Sequence, residues 1–99
     1  MNQFRQGDVF LEQIKDVPRA AELLKGPIVL AEGEATGHCH SIKSRSAKLY
    51  GLAAERFLRV VKPVILEHQE HDPLELPVGI YRVVRQLEYL PEGERRVQD

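Results

Sequence analysis

Hydrophobic and polar positions alternate in short runs along this chain, and glycines and prolines cut the runs apart. Gly7, Pro18, Gly26-Pro27, Gly33, Gly37, Gly51, Pro63, Pro73, Pro77, Gly79, Pro91 and Gly93 supply the punctuation. Alternation with period two marks strands that are covered on one face only. Many short strands between turn residues mark a small sandwich or barrel. The pattern predicts strands at Asp8–Ile14, Ile28–Ala31, Ala47–Leu52, Phe57–Val61 and Val64–His68. A final long strand is predicted over Gly79–Tyr89. A turn near Ala53–Glu55 joins the third and fourth, with a helix through Leu52–Leu58 as the competing reading. One stretch, Arg19–Lys25, carries good helix formers between Pro18 and Gly26-Pro27, which leaves room for at most two turns. The tail from Pro91 to Asp99 is polar and is expected to fray. The expected fold is therefore all-β: one domain over residues 1–99, a small open barrel or sandwich with at most one short helix.

Composition narrows the function classes. An apolar fraction of 42% and a charged fraction of 29% describe an ordinary globular chain. The net charge of −1 gives no whole-chain signal for nucleic acid. The single cysteine, Cys39, cannot form an intrachain disulfide. No apolar run approaches the roughly 20 residues that span a bilayer. The start of the chain lacks an apolar signal segment. A cytoplasmic protein without a membrane partner is expected, with a homo-oligomer compatible with its size.

The chemistry concentrates in histidine. All four histidines fall in two tight pairs, His38-Cys39-His40 and His68-Gln69-Glu70-His71. On a strand, an H-x-H pair projects both imidazoles to one side, with origins roughly 6.5–7 Å apart. Nitrogens so placed can reach one ion at about 2.0–2.1 Å. Parity puts His68 on the face of Val64 and Leu66, and turns Cys39 away from His38 and His40. The expectation is one divalent transition metal held by His38, His40, His68 and His71. Zinc comes first, and Fe, Mn, Ni or Cu suit the same donors.

Glu34, Glu67, Glu70 and Asp72 flank the pairs as further ligands or orienting groups. Glu70, inside the second pair, is the first candidate for a general base. Arg85 shares its face with Tyr81 and Val83 and is the candidate for gripping an anionic substrate group. Tyr81 and Tyr89 could bring a hydroxyl to the same place. Lys43, Arg45 and Lys48, interleaved with serines, form a basic loop able to meet a phosphate or nucleotide. Three functional readings follow. The first is a metal-dependent hydrolase acting on a small anionic, phosphate-bearing molecule. The second is a non-catalytic metal-binding accessory module. The third is a metal-free nucleotide- or nucleic-acid-processing protein using histidine as acid and base.

Two resemblances attach to these motifs. An H-x-H after a glycine-rich turn, followed by a β segment and Pro77-Val78-Gly79, resembles the cupin superfamily of metal-binding barrels over residues 28–90. No glutamate follows H-x-H in Ser41–Ala47, and no histidine follows the Pro-x-Gly turn. The cupin ligand role therefore carries over only to His38 and His40. Arg5-Gln6-Gly7-Asp8-Val9, Gly33-Glu34-Ala35-Thr36-Gly37-His38-Cys39-His40, His68-Gln69-Glu70-His71 and the segment Gly79–Tyr89 are similar to a group of small uncharacterised bacterial and phage proteins. That likeness implies a prokaryotic or phage origin and no mechanism.

Overall fold

A computed structural model describes residues 2–32, 38–85, 87–90 and 93–96, the last two segments as backbone only. Among these residues there is no helix. The strands are β1 (Gln3–Gln6), β2 (Val9–Ile14), β3 (Glu22–Leu24), β4 (Ile28–Glu32), β5 (Cys39–Ile42) and β6 (Ala47–Leu52). They continue as β7 (Glu55–Val60), β8 (Val64–Leu66), β9 (Leu74–Leu76), β10 (Gly79–Arg85), β11 (Leu87–Leu90) and β12 (Gly93–Arg96).

Six strands form an antiparallel sheet in the order β1-β2-β10-β7-β6-β3. The hairpins β4–β5 and β8–β9 form a second layer, and β11–β12 forms a third small hairpin. The layers do not close into a barrel, because β1 and β3 stand as edges of the main sheet. No helix among the described residues is long and apolar enough to cross a membrane.

The core lies between the layers. Val9, Leu11, Leu49, Leu58, Val60 and Tyr81 from the main sheet meet Leu30, Ile42, Val64, Leu66 and Leu76 from the hairpins. These are the inward positions of the alternating runs, as the hydrophobic driving force requires. Register carries the layer across strands: Leu49 pairs with Leu58, and Leu58 with Tyr81.

Three expectations change, and one strand appears that none foresaw. Arg19–Lys25 holds no helix. Ala21 N–H donates to Pro18 O in a turn, and Glu22–Leu24 then pairs with β6. Backbone bonds from a waiting sheet edge outweigh the modest helix propensity of a seven-residue stretch. The strand Gln3–Gln6 has no hydrophobic pattern to announce it. The long strand at Gly79–Tyr89 divides into β10 and β11, which belong to different sheets. The tail expected to fray contains β12, paired with β11 from Leu87↔Arg96 to Leu90↔Gly93. The turn near Ala53 is a two-residue hairpin, with Leu52 opposite Glu55 and Ala53 at φ 53°.

Candidate functional site

The two histidine motifs meet because β5 and the end of β8 run side by side. Ser41 N–H donates to Glu67 O at 3.0 Å, and Glu67 N–H donates to Ser41 O at 2.8 Å. In an antiparallel ladder, the residues flanking such a pair face each other at the closer spacing. His40 and His68 therefore stand opposite, with ring centres 4.4 Å apart. One step further out, Cys39 N–H donates to the Gln69 side-chain oxygen at 2.8 Å, which ties the first motif to the second.

His68 is the centre of the cluster. Its ring lies 5.7 Å from His38, 4.4 Å from His40 and 4.5 Å from His71. His71 stacks against His40 at 5.9 Å with planes 14° apart. The loop between β8 and β9 shapes the second pair: the backbone N–H groups of Glu70 and His71 donate to His68 Nδ1 at 3.0 and 3.3 Å. An N–H donor here needs a lone pair on Nδ1, so the proton of a neutral His68 ring sits on Nε2.

His40 is fully buried and held on both sides. The Gln6 amide donates to Leu66 O and Asp72 O, each at 2.9 Å, which fixes its oxygen toward His40. His40 Nδ1 then donates to Gln6 Oε1 at 2.8 Å, and its Nε2 faces Asp8 Oδ1 at 3.2 Å. Asp8 is also fully buried, and its other oxygen accepts from Arg85 Nε at 2.8 Å. Arg85 further donates to the Glu32 carbonyl. Pairing β10 with β2 places Arg85 beside Val9, one residue from Asp8. A carboxylate without exposure needs such partners to remain charged.

Gly7 completes the wall. Its φ of +57° turns β1 into β2 in two residues, and its missing side chain leaves space for His71. A Cβ at this position would overlap His71 Nε2 and stand 2.8 Å from Cδ2. His71 Nε2 itself is buried with no hydrogen-bond partner.

The outer groups divide. Glu70 sits at the rim with its side chain about half exposed, and Oε2 lies 3.7 Å from His38 Nδ1. Glu67 and Asp72 take part through backbone atoms. Cys39 and Ser41 lie on the opposite face of β5 and line a cavity there. Tyr81 donates to Pro77 O at 2.7 Å, outside the cluster, and burial pushes its phenol pKa up. Arg82, on the opposite face from Arg85, pairs with Glu55 and Glu12. Glu34 and the glycine-rich turn at 33–37 lie outside the described residues, as does the Tyr89 side chain. Sequence reading missed Gln6 and Asp8 as site residues. Their only signal is the polar Arg5-Gln6-Gly7-Asp8 run at the mouth of a strand.

Among the described residues, no three His, Cys, Asp or Glu side chains converge to hold one ion in this geometry. In this geometry His40 has both nitrogens on Gln6 and Asp8, and His68 Nδ1 accepts from backbone N–H groups.

The fold and site define a small two-layer antiparallel β protein with a partly buried histidine cluster, of which His40 is fully enclosed. The chain belongs to the family described as a domain of unknown function (DUF8820), whose model matches residues 5–86. That span takes in Gln6, Gly7 and Asp8, both histidine pairs and Arg85. Neither the curated proteins nor the solved structures contain a match to this chain.

Proposed function

We propose that the histidine cluster is a metal-binding centre. The observation that carries this reading is the ring spacing. Imidazoles sharing one ion at about 2.0–2.1 Å have ring centres roughly 4.5–6 Å apart, from the ring size and bond angles of about 90–130°. His40, His68 and His71 stand 4.4–5.9 Å apart in pairs, and His38 lies 5.7 Å from His68. His38, His68 and His71 would hold the ion together with His40. His71 Nε2 is the donor already buried without a partner. His40 and His68 would join by turning about χ2, which exchanges their present hydrogen bonds. A ligating His40 keeps one ring nitrogen for the ion, so one of Asp8 and Gln6 would then orient it from the other, as a carboxylate or amide orients a ligating imidazole.

A bound ion of the zinc class would supply Lewis acidity at the cluster. Glu70 lies where a carboxylate can move a proton between the cluster and solvent. Hydrolysis of a small anionic substrate is the activity this arrangement suits. Arg85 serves Asp8 rather than substrate, so its part is to position His40 through that carboxylate. A prokaryotic or phage source fits the motif likeness, and a cytoplasmic setting fits the reduced single cysteine.

The hydrogen bonds of His40 and His68 favour a second, metal-free reading, in which His38 and Glu70 exchange protons at the rim. Elemental analysis separates the two. The untagged protein is expected to carry near-stoichiometric metal, and His68→Ala/His71→Ala none. A folded wild type that takes up no Zn, Fe, Mn, Ni or Cu on dialysis overturns the metal reading in favour of the second.

A further inference from the structure

Along the β4–β5 hairpin, reaching the face of β5 turned away from His40, lies a cavity of about 660 Å³. Its floor is apolar: Pro27, Val29, Ile42 and Ala47 contribute to it. Lys43 and Arg45 stand at its edge, in the loop from β5 to β6, and both are exposed. Among the described residues no acidic side chain lines it, although the chain carries 15 Asp and Glu against 14 Lys and Arg. Neither cation makes an ion pair or side-chain hydrogen bond among the described residues, unlike Arg59, Arg82 and Arg85. The Ser41 side chain, alternating with His40, adds a hydroxyl to the wall.

We infer that this cavity binds a small amphipathic anion: a flat or aliphatic body lying on the apolar floor, and a terminal phosphate or carboxylate held by Lys43 and Arg45. The volume suits a compact organic ligand, since small-molecule sites run from about 300 to 1,000 Å³. The polarity matches as well, because such sites combine an apolar lining with a few convergent charged groups. Uncompensated cations over an apolar floor complement a ligand with charge at one end only. The site is separate from the histidine cluster and does not depend on a metal there.

The chain has no tryptophan, so naphthyl fluorescence can be read against a weak protein background. The probes are 2-naphthyl phosphate, 2-naphthoate and uncharged naphthalene, each titrated with the full chain and followed by anisotropy. The two anions are expected to bind at one site, at least tenfold tighter than naphthalene, and their ratio tells phosphate from carboxylate. Lys43→Ala/Arg45→Ala should weaken the anions about tenfold or more and leave naphthalene unchanged. Bound anion should also slow modification of Cys39, the sole thiol, by Ellman's reagent. A His68→Ala/His71→Ala variant should bind the anions as the wild type does. Equal binding of all three probes, no binding at all, or anion binding indifferent to the double substitution overturns the proposal.

Discussion

His40 stands across from His68, on the neighbouring strand, because Ser41 and Glu67 exchange both of their backbone hydrogen bonds. One backbone bridge thus aligns two histidine pairs that are remote in sequence. The arrangement is held from below by Gln6, whose amide reaches Leu66 O, Asp72 O and His40 at once.

Gln6→Leu tests that clamp. Leucine fills a similar volume but leaves two buried partners, Leu66 O and His40, and the part-buried Asp72 O unmet. Each unmet group costs about 1–3 kcal/mol, with partial relief from water, so a loss of about 2–4 kcal/mol is expected in urea unfolding. The loop between β8 and β9 should also exchange its amide hydrogens faster. A loss below 0.5 kcal/mol, by order of magnitude for a surface change, would show that Gln6 is not a clamp.

Gly7→Ala separates backbone strain from crowding. The left-handed conformation alone costs a non-glycine residue about 1 kcal/mol. The new Cβ would also push His71 from its place against Gly7. A total near 2–3 kcal/mol is expected, with the His71 ring resonances shifted in NMR spectra. A Gly7→Ala protein of unchanged stability and unchanged His71 resonances would contradict the close approach.

The fold was legible wherever alternation met burial. Val9 and Leu11, Leu58 and Val60, and Val64 and Leu66 each mark an inward face in the sequence, and each lies in the core. Gln3–Gln6 was not legible, because its one buried side chain is Gln6, held by hydrogen bonds rather than by apolar contact. Glu22–Leu24 read as helix because propensity is local, whereas its pairing with β6 is not. The division between β10 and β11 follows no break in the hydrophobic pattern. At the site, the histidines announced themselves by spacing. Gln6, His40, Asp8 and Arg85 form one chain of contacts between distant parts of the sequence, and such contacts leave no periodic trace. Parity gives the side of the strand on which Arg85 lies but not its partner, Asp8.

Asp8→Asn probes the buried charge. Asp8 meets His40 and Arg85 with no exposure of its own. Asparagine keeps the shape and removes the charge, leaving Arg85 without an anion. Removing one partner of a buried pair costs about 3–5 kcal/mol, and Arg85's partial exposure places the expected loss at the low end. Asp8→Asn/Arg85→Met should recover part of it, measured as a coupling energy in a double-mutant cycle. Additive single effects would show that the two residues act independently.

Tyr81 gives a stability change at high pH. Burial raises its phenol pKa above the ordinary value of 10.0. The folded state therefore holds the proton more tightly than the unfolded state. Its contribution is complete below pH 10 and is lost as pH rises through the folded-state value. Tyr81→Phe removes that decline and also the bond to Pro77 O, at about 1 kcal/mol near neutral pH. The two stability curves should converge above pH 10. Parallel curves would show that the phenol does not titrate with unfolding.

Metal affinity at the histidine cluster should have the opposite dependence on pH. An imidazole binds an ion only when deprotonated, and ordinary histidines titrate near 6.5. Each ligand that must lose a proton contributes about tenfold in affinity per pH unit below that value. With three or four ligands, zinc should be retained at pH 8 and released by about pH 5. Bound metal should raise the melting temperature by about 10 °C or more once its concentration passes a hundred times Kd. Melting curves at pH 8 and pH 5, with and without zinc, read both effects. A zinc shift of equal size at the two pH values would exclude histidine as the ligand. A shift confined to pH 8 and absent from His68→Ala/His71→Ala would place the ion at the junction of β5 and β8, where the Ser41–Glu67 bridge aligns the two pairs.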